Sequence, residues 1–462
     1  MRRFRKWQPE QWRYAAAAYL HAPVTFLRRV VFGRDPYWRR YFWSRWGFVP
    51  APVATAAQGG PVLWIDALSG GEVTQIVTFC RVLRSVLPRW RFVLSTNTRY
   101  SYDFATSSLD VDAVLDSPWD CRGPVRRCLR RLKPAAFICI QNLRCPVLVE
   151  EAKRHGVTTI LVSGLLSKGV DRHPMFERTL ARRPFGHLDW IGAWSQEDVK
   201  GFIEHGARPD RVMVTGNMKF DLEYLQVPDH ARQGLYRELR LAPDEPVLLA
   251  ASLHPGEEEL VASAYLEARR EIAALRLLLV PRYQFDTSRM VSHLSERGLT
   301  PVLKSSLARK SAVDTPVIVV DTFGELANLY SLASVVFLGG TTYPRQRAGL
   351  GQNPVEPLAH GRPVFFGPFM NLWREITDDL EAVWSGVRIS TAADLTTAVV
   401  RALVDQTLAV RMERKIQEIL AAHRDDVGRN VELVRHALSG TTFKPEPRPA
   451  MGAIPPSRSS AS

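Results

Sequence analysis

The stretch 337–368, FLGGTTYPRQRAGLGQNPVEPLAHGRPVFFGP, decides the fold class. It contains two apolar runs, each ending in glycine, and such runs are typical of buried strands. Between the two runs, Asn353 is predicted to cap a helix entered through Pro354, with Glu356 in the first turn. A strand, a loop and a helix in this order indicate a β-α-β unit of a parallel sheet, where ligands bind at the carboxyl ends of the strands.

Glu356 has two interpretations at this position. A carboxylate in the first helical turn is placed to accept both hydroxyls of a ribose, at the end of the helix that attracts anionic ligands. In the alternative, the loop is an ordinary glycine-rich turn and Glu356 complements the helix dipole. Glycine motifs alone do not decide between the two.

The same alternation of apolar runs and helical stretches extends over most of the 462 residues. It begins at Pro61 and restarts after DLEYLQVPDHARQG, which we interpret as an interdomain linker. We therefore predict an α/β protein with two doubly wound, Rossmann-like domains facing a cleft. The predicted segments are a basic aromatic segment at 1–50, domains at 51–225 and 226–440, and a disordered Pro- and Ser-rich tail at 441–462.

The formal net charge of +14 favours an anionic partner. Residues 1–50 hold eleven Arg or Lys residues against Glu10 and Asp35, interleaved with Trp, Tyr and Phe. Such a composition suits a helix that lies on an anionic membrane surface. Two alternatives remain: a helix packed on its own protein, and one that binds RNA. We expect no nucleic-acid partner, because no nucleic-acid-binding module is recognised.

Polar residues follow other predicted strands of the second domain. Ser252 and His254 lie in ASLHPGEEE, Arg282 lies in VPRYQFD, and Gly324 and Glu325 lie in VVDTFGELANLY. Each segment alone reads as an ordinary helix start. Because the carboxyl ends of parallel strands share one edge of the sheet, the segments together predict one binding site.

In combination and in order, these motifs resemble those of the 3-deoxy-D-manno-octulosonic acid (Kdo) transferases. The resemblance runs from about Tyr37 to Ile376 and is carried by VTGNMKFD, ASLHPGEEE, LVPR, DTFGELANLY, FLGG, NPVEPLAHGRPVFFGP and Asn371. It implies an inverting glycosyltransferase of GT-B architecture. It further implies transfer of Kdo from CMP-Kdo to a lipid A precursor, in lipopolysaccharide biosynthesis, at the cytoplasmic face of the bacterial inner membrane, with peripheral or monotopic attachment.

The resemblance makes 51–225 the acceptor domain and 226–440 the nucleotide-sugar donor domain. No metal or other cofactor is expected, because no His, Cys and Asp cluster with metal-ligand spacing is recognised. The donor-binding residues that it implies are Lys219, Ser252, His254, Arg282, Gly324, Glu325, Asn353, Glu356 and Asn371.

Glu72 is the predicted catalytic residue. The stretch DALSGGE resembles the family's H-A-x-S-x-G-E, whose Glu is its proposed general base, and Glu72 matches that position. At a helix start after a strand, its carboxylate is placed to deprotonate an acceptor hydroxyl. The alternative is a first-turn Glu stabilised by the helix dipole. Ser69, Gly71 and Gln141 are the predicted acceptor-binding residues.

The first domain departs from the family pattern more than the second. Asp66 replaces the motif's His, and the family's E-x-E-L-W-P reads QNLRCP, with Gln141 and Leu143 at the Glu positions and Cys145 at the Trp position. Leu165 replaces an Arg. In the second domain, Tyr283 and Gln352 each replace a His. Two rival hypotheses follow: a related GT-B glycosyltransferase with a different lipid-linked acceptor, and a catalytically silent membrane-bound relative.

Overall fold

The structure is a computed structural model that describes residues 36–166, 184–221, 223, 225–309, 316–322, 324–343, 351–384 and 387–439. Within these ranges the chain forms two compact units. The first comprises residues 36–221 and 423–439, and the second comprises residues 222–422. The chain thus enters the second unit once and returns to the first.

Seven parallel strands form the sheet of the first unit, in the order β3-β2-β1-β4-β5-β6-β7. The strands are β1 (Val62–Asp66), β2 (Arg91–Thr96), β3 (Ala113–Asp116), β4 (Ala136–Ile140), β5 (Thr158–Gly164), β6 (Trp190–Ala193) and β7 (Val212–Val214). The helices are α1 (Pro36–Arg45), α2 (Ala51–Ala56), α3 (Gly70–Thr74), α4 (Val77–Val86), α5 (Arg99–Ser108), α6 (Arg122–Leu132), α7 (Pro146–Arg154), α8 (Gln196–Glu204) and, after the second unit, α17 (Asp426–Ser439).

Both faces of this sheet are buried. Trp64 of β1 belongs to the hydrophobic cluster on one face, and its neighbours Leu63 and Ile65 belong to the cluster on the other. The Trp64 ring packs edge-on against Phe137 at 5.3 Å, and its indole N–H donates to Ser95 Oγ at 2.8 Å. Burial on both faces is the reason that the strands read as continuous apolar runs in the sequence.

Six parallel strands form the sheet of the second unit, in the order β10-β11-β9-β8-β12-β13. The strands are β8 (Val247–Leu253), β9 (Arg276–Pro281), β10 (Pro301–Leu303), β11 (Val317–Val319), β12 (Val335–Leu338) and β13 (Val364–Phe366). The helices are α9 (Asp229–Leu239), α10 (Glu257–Glu271), α11 (Thr287–Glu296), α12 (Leu326–Leu329), α13 (Val355–Ala359), α14 (Arg374–Val383), α15 (Ala392–Val404) and α16 (Gln406–Ala422).

In each sheet, strand order reverses beside the first strand of the unit, and in the second sheet β11 also lies between β10 and β9. In the first unit the reversal lies between β1 and β4, and in the second it lies between β8 and β12. The loops that leave neighbouring strands at such a point diverge to opposite faces and open a crevice for a ligand. Candidate sites are therefore expected after β1 and β4, and after β8 and β12.

Every strand that we predicted from the sequence is present, and β3 was missed. This strand, Ala113–Asp116, is short and lies within the polar stretch SLDVDAVLDSP, which masked its pattern. The predicted second domain, 226–440, needs a correction, because α17 belongs to the first unit. Sequence patterns report local structure, whereas this assignment depends on packing with strands more than two hundred residues away. The predicted tail, 441–462, lies outside the described residues.

Helix α17 is fixed to the first unit by buried polar contacts. Asp426 is fully buried and accepts the backbone N–H of Asn217 at 2.7 Å. Asn430 accepts the N–H of Ser163 at 2.9 Å through its amide oxygen. A methyl group on Gly216, whose φ is +87°, would lie 2.1 Å from the Asp426 carboxyl, so the close approach requires glycine.

Asp426→Asn is expected to lower the free energy of unfolding of the first unit by about 2–3 kcal/mol, because a neutral amide replaces a buried carboxylate and weakens its hydrogen bonds. Besides Asn217, this carboxylate contacts His423 Nδ1 at 2.7 Å and the Arg429 guanidinium. Urea-induced unfolding measures the change. Asp425→Asn is the matched control, since the Asp425 side chain is 71% exposed, and it should change stability by less than about 0.5 kcal/mol. Equal effects of the two variants would contradict the assigned role of Asp426.

The described part of the basic N-terminal segment packs on its own unit. Tyr37 is buried, Arg40 forms an ion pair with Asp116 at 3.1 Å, and Arg45 donates to the Ser117 carbonyl at 2.7 Å. For residues 36–45 the packed-helix interpretation is therefore the observed one. Residues 1–35 lie outside the described residues, and membrane contact through them stays a prediction. Among the helices that the structure describes, none has both the length and the apolar character needed to cross a membrane.

Candidate functional site

Glu72 is the third residue of α3, the helix that follows β1 at the strand-order reversal of the first sheet. Its Oε2 accepts the backbone N–H of Leu68 at 2.6 Å and that of Ser69 at 3.3 Å. These are amides at the start of a helix, which otherwise have no partner, and this explains why a Glu is favoured at the third helical position. The carboxyl is only 3% exposed, and its position is fixed by the backbone.

The second carboxyl oxygen of Glu72 faces a cation. Arg144 Nη2 lies 3.7 Å from Glu72 Oε1, and the Arg144 side chain is 54% exposed. Burial raises the pKa of Glu72 above its ordinary value; the Arg144 guanidinium opposes this rise, and the Asp66 carboxyl adds to it. A carboxyl whose pKa is raised in this way suits proton transfer closer to neutral pH than an ordinary Glu does.

Asp66 and Asp120 are two of the other buried carboxyls of this unit. Asp66, at the end of β1, accepts the hydroxyl of Ser117 at 2.8 Å and the hydroxyl of Ser95. Asp120 accepts the N–H groups of Val147 and Leu148, at the start of α7. Burial raises the pKa of Asp120 to about 7, against the effect of these two N–H donors. The sequence analysis missed Asp120, whose only signal was an Asp shortly after a strand.

The three predicted acceptor-binding residues follow β1 and β4, the strands on either side of the reversal. Ser69 precedes α3, and Gly71 is exposed, with no atom within 4 Å of a methyl group built on it. Gln141 follows β4 with a φ of +62°, and Gln75 Nε2 donates to its Oε1 at 3.4 Å. The structure thus brings Gln141 next to the segment that carries Glu72.

Lys219 lies in the first unit, whereas the other predicted donor-binding residues lie in the second. Its backbone N–H donates to Asn217 Oδ1 at 2.9 Å, and its Nζ lies 5.5 Å from the centre of the Trp194 ring. The loop that carries it is held by Asp426 of α17 through the Asn217 N–H. A role of Lys219 toward the donor stays a prediction.

In the second unit, Ser252 and His254 lie at the carboxyl end of β8, beside the strand-order reversal. Ser252 has a φ of +55°, in the left-handed region that non-glycine residues seldom adopt. The buried His254 ring lies against Gly340, because a methyl group on Gly340 would be 2.5 Å from His254 Cδ2. The glycines after β12 thus allow the two loops to meet.

Arg282, Asn353 and Glu356 lie at the same edge of this sheet. The Arg282 N–H donates to the Leu253 carbonyl at 2.8 Å, which holds the chain leaving β9 against β8. Asn353 Nδ2 donates to Glu356 Oε1 at 3.0 Å, and Asn353 Oδ1 accepts the Val355 N–H, as the predicted cap requires. Burial raises the pKa of Tyr330 well above its ordinary value. The negative charge of Glu356 raises this pKa further, and the positive charge of Arg282 lowers it.

Glu325 sits further along the edge, after β11. Lys304 Nζ contacts its Oε2 at 2.8 Å, and Thr322 Oγ1 donates to the same oxygen at 2.9 Å. Gly324 has a φ of +84° and is exposed. Asn371 is exposed and opens a short 3₁₀ turn, directly after Met370, whose sulfur would lie 2.5 Å from a methyl group on Gly351.

Glu257 organises this edge, and the sequence analysis did not single it out. It is fully buried and accepts the His254 N–H at 2.9 Å, so it fixes the loop after β8. Its two oxygens also accept the N–H groups of Gly340, Thr341 and Thr342 and the Thr342 hydroxyl. One carboxylate therefore joins the loops after β8 and β12, which carry the motifs predicted to bind the donor.

Known proteins resemble the chain over most of its length. The sequence model of the family described as 3-deoxy-D-manno-octulosonic-acid transferase (kdotransferase) matches residues 40–222. The 3-deoxy-D-manno-octulosonic acid transferase of Chlamydophila psittaci is 27% identical over 368 residues, which cover 79% of this chain and 81% of the relative. That of Aquifex aeolicus is 27% identical, covering 82% and 94%. That of Haemophilus influenzae is 25% identical, covering 88% and 93%.

Among solved structures, the UDP-GlcNAc 2-epimerase of Neisseria meningitidis bound to UDP-GlcNAc has a TM-score of 0.57, with 13% identity, and the match covers 82% of this chain and 100% of that one. A glycosyltransferase from Rickettsia africae has a TM-score of 0.54, with 11% identity, covering 83% and 100%. These likenesses bear on the fold alone, and they confirm the predicted GT-B class. The matched family model and the relatives above, which are 25–27% identical over most of the chain, support the 3-deoxy-D-manno-octulosonic acid transferase family of glycosyltransferases as the family of this chain.

Proposed function

We propose that the protein transfers Kdo from CMP-Kdo to a lipid A precursor, as a step of lipopolysaccharide biosynthesis. Family membership carries the proposal, together with the retention of Arg282, Asn353 and Glu356 at one edge of the second sheet. Arg282 binds the phosphate of the donor, and Glu356, oriented by Asn353, accepts the ribose hydroxyls. These contacts use the charge and geometry that an anionic nucleotide requires.

The chemical step is a direct displacement at the anomeric carbon. Glu72 takes the proton of the acceptor hydroxyl, and the acceptor oxygen forms a bond to the anomeric carbon. The bond from that carbon to the phosphate oxygen breaks, and CMP leaves with the electron pair. Arg282 and Lys219 stabilise the negative charge on the departing phosphate. The buried position of Glu72 and its raised pKa support this assignment.

Transfer by the purified protein tests the proposal. CMP release from CMP-Kdo is measured with and without a lipid A precursor in detergent micelles, and the lipid product is examined by mass spectrometry. Acceptor-dependent release with the mass of one or more Kdo units added to the lipid supports the proposal. Failure to bind CMP-Kdo at all would reject it and would favour a catalytically silent relative.

A different lipid-linked acceptor is the second candidate function. Leu143, at a position where the family commonly has a Glu, is 4% exposed and belongs to the hydrophobic core of the first unit. Gln141 and Leu165 also lack the charge that the family commonly has there. An acceptor contact that depended on those charges is therefore lost. Donor binding without transfer to the lipid A precursor would support this candidate.

We also propose that the protein acts at the cytoplasmic face of the inner membrane, as a peripheral or monotopic protein. The support is the composition of residues 1–35, which hold eight Arg or Lys residues against Glu10 and Asp35 and whose aromatic side chains also suit an anionic bilayer surface. Binding of the full chain to vesicles that contain anionic lipid should fall as salt concentration rises. Equal binding to neutral vesicles would contradict this proposal.

Arg144→Gln is expected to move the acidic limb of the pH profile of kcat/KM to higher pH. The Arg144 guanidinium opposes the rise that burial causes in the pKa of Glu72. Without the Arg144 guanidinium, burial and Asp66 raise the pKa of Glu72 further. Glu72 then keeps its proton to a higher pH, so it is the active base over a narrower pH range. Arg144→Lys keeps the charge and is the control. An unshifted limb in the Gln variant would show that Glu72 does not set it.

A further inference from the structure

Two aromatic rings of the second unit are stacked on each other in solvent. Tyr283 is 43% exposed and Phe285 is 81% exposed, and their ring centres lie 5.2 Å apart with planes inclined by 10°. Beneath them, the buried His254 packs edge-on against Tyr283 at 5.5 Å and 81°, which fixes the orientation of that ring. Single exposed apolar side chains are ordinary, but an ordered stack that leaves its outer faces open is suited to a planar ligand.

The stack lies at the edge of the sheet that the proposed function assigns to the donor. Tyr283 follows Arg282 directly, and Arg282 is held against the end of β8 by its backbone. A nucleotide presents an anionic phosphate, a ribose diol and a flat base. Arg282 and Glu356 account for the first two groups, and none of the predicted donor-binding side chains provides an apolar surface for the third.

A third exposed aromatic ring lies nearby, on a different loop. Tyr343, which is 52% exposed, follows β12, and its ring lies 3.9 Å from a methyl group built on Gly256, two residues after His254. Exposed rings on the loops after β9 and β12 therefore lie on either side of the loop after β8. This places the apolar surface at the strand-order reversal, where nucleotides bind in doubly wound sheets.

We propose that Tyr283 and Phe285 form a stacking surface for the pyrimidine base of the donor nucleotide. The proposal rests on the proposed function, because it takes the donor to be a nucleotide-linked sugar. A ring face has no hydrogen-bond pattern to read, so the stack contributes affinity without distinguishing cytosine from uracil. It also uses a residue that departs from the family pattern, since Tyr283 stands where that pattern usually has a His.

Titration calorimetry with CMP tests the stacking surface. Tyr283→Ala and Phe285→Ala should each weaken CMP binding by about 10- to 100-fold. Tyr283→Phe, which keeps the ring, should bind CMP within about threefold of the unsubstituted protein. Ribose 5-phosphate carries the sugar and the phosphate without a base, and both alanine variants should bind it unchanged. Val410→Ala is the control, since Val410 is 63% exposed on α16 and is not one of the predicted donor-binding residues.

Three results would overturn the stacking proposal. Unchanged CMP binding in the alanine variants would show that the rings do not contact the base. Equal weakening of CMP and ribose 5-phosphate would show that the substitutions only distort the loop that carries Arg282. Loss of vesicle binding with CMP binding intact would assign the rings to a lipid surface. Absence of CMP binding by the unsubstituted protein would reject the proposed function as well, so the two failures are distinguishable.

Discussion

Replacing Glu72 with Gln is expected to lower kcat for sugar transfer by about 10²- to 10⁴-fold, the range that a general base contributes. Gln has the same shape, and its amide oxygen can accept the N–H groups of Leu68 and Ser69 that hold the carboxylate now. The fold around α3 should therefore persist while the proton acceptor is lost. Transfer under saturating donor and acceptor measures the effect.

Donor binding separates a catalytic role of Glu72 from a structural one. Glu72→Gln should bind CMP with unchanged affinity and unfold at an unchanged urea concentration. Glu197→Gln, an exposed position on α8, is the matched control and should leave kcat unchanged. If the Glu72 variant retained full activity, the base would lie elsewhere. Asp120 would be the next candidate, because its pKa is raised to about 7.

Glu257→Gln is expected to destabilise the second unit by about 3–5 kcal/mol and to weaken donor binding. Glu257 is fully buried and accepts four backbone N–H groups and one hydroxyl. A Gln retains one acceptor oxygen and turns an NH₂ toward N–H donors, so several buried amides lose their partner. Loss of a buried, hydrogen-bonded carboxylate belongs to the most destabilising classes of substitution.

Hydrogen exchange locates the effect of this substitution. His254 and Gly340 donate to one carboxyl oxygen of Glu257 and Thr341 donates to the other, so the amides on the oxygen that Gln replaces should exchange faster in Glu257→Gln. Glu259→Gln, on the same helix with a side chain 52% exposed, is the control and should change stability by less than about 0.5 kcal/mol. Unchanged exchange at all three amides, His254, Gly340 and Thr341, would show that the two loops are held together by other contacts.

The strands and the candidate donor site were predictable because their signals are local. The end of a strand, a glycine and the first residues of a helix adjoin in sequence, so Ser252, Arg282 and Glu356 could be placed at one edge from the chain alone. Parallel β-α-β order then puts all strand ends on the same side. The capping contact of Asn353 was predictable for the same reason.

The contacts that the sequence did not reveal join distant segments. Glu257 looks like any first-turn Glu, and its partners at 340–342 lie more than eighty residues away. Arg144 shows no relation to Glu72 until β1 and β4 are neighbours in the sheet. Asp120 acquires its raised pKa from burial, which composition does not report. Pairings of this kind depend on the fold, so no window of sequence contains them.

Because α17 follows the second unit in sequence, synthesis of the first unit is completed only after the second unit has been made. The α17 side chains Val431, Leu433 and Val434 are buried in the hydrophobic cluster on one face of the first sheet, yet they are translated after the whole of the second unit. At the usual 5–20 residues per second, the ribosome needs about 10–40 s to make the roughly 200 residues between. During that interval the nascent first unit holds an uncovered apolar face. The second unit, which is continuous in sequence, can fold before α17 is synthesised. Once α17 emerges, it covers the apolar face of the first unit.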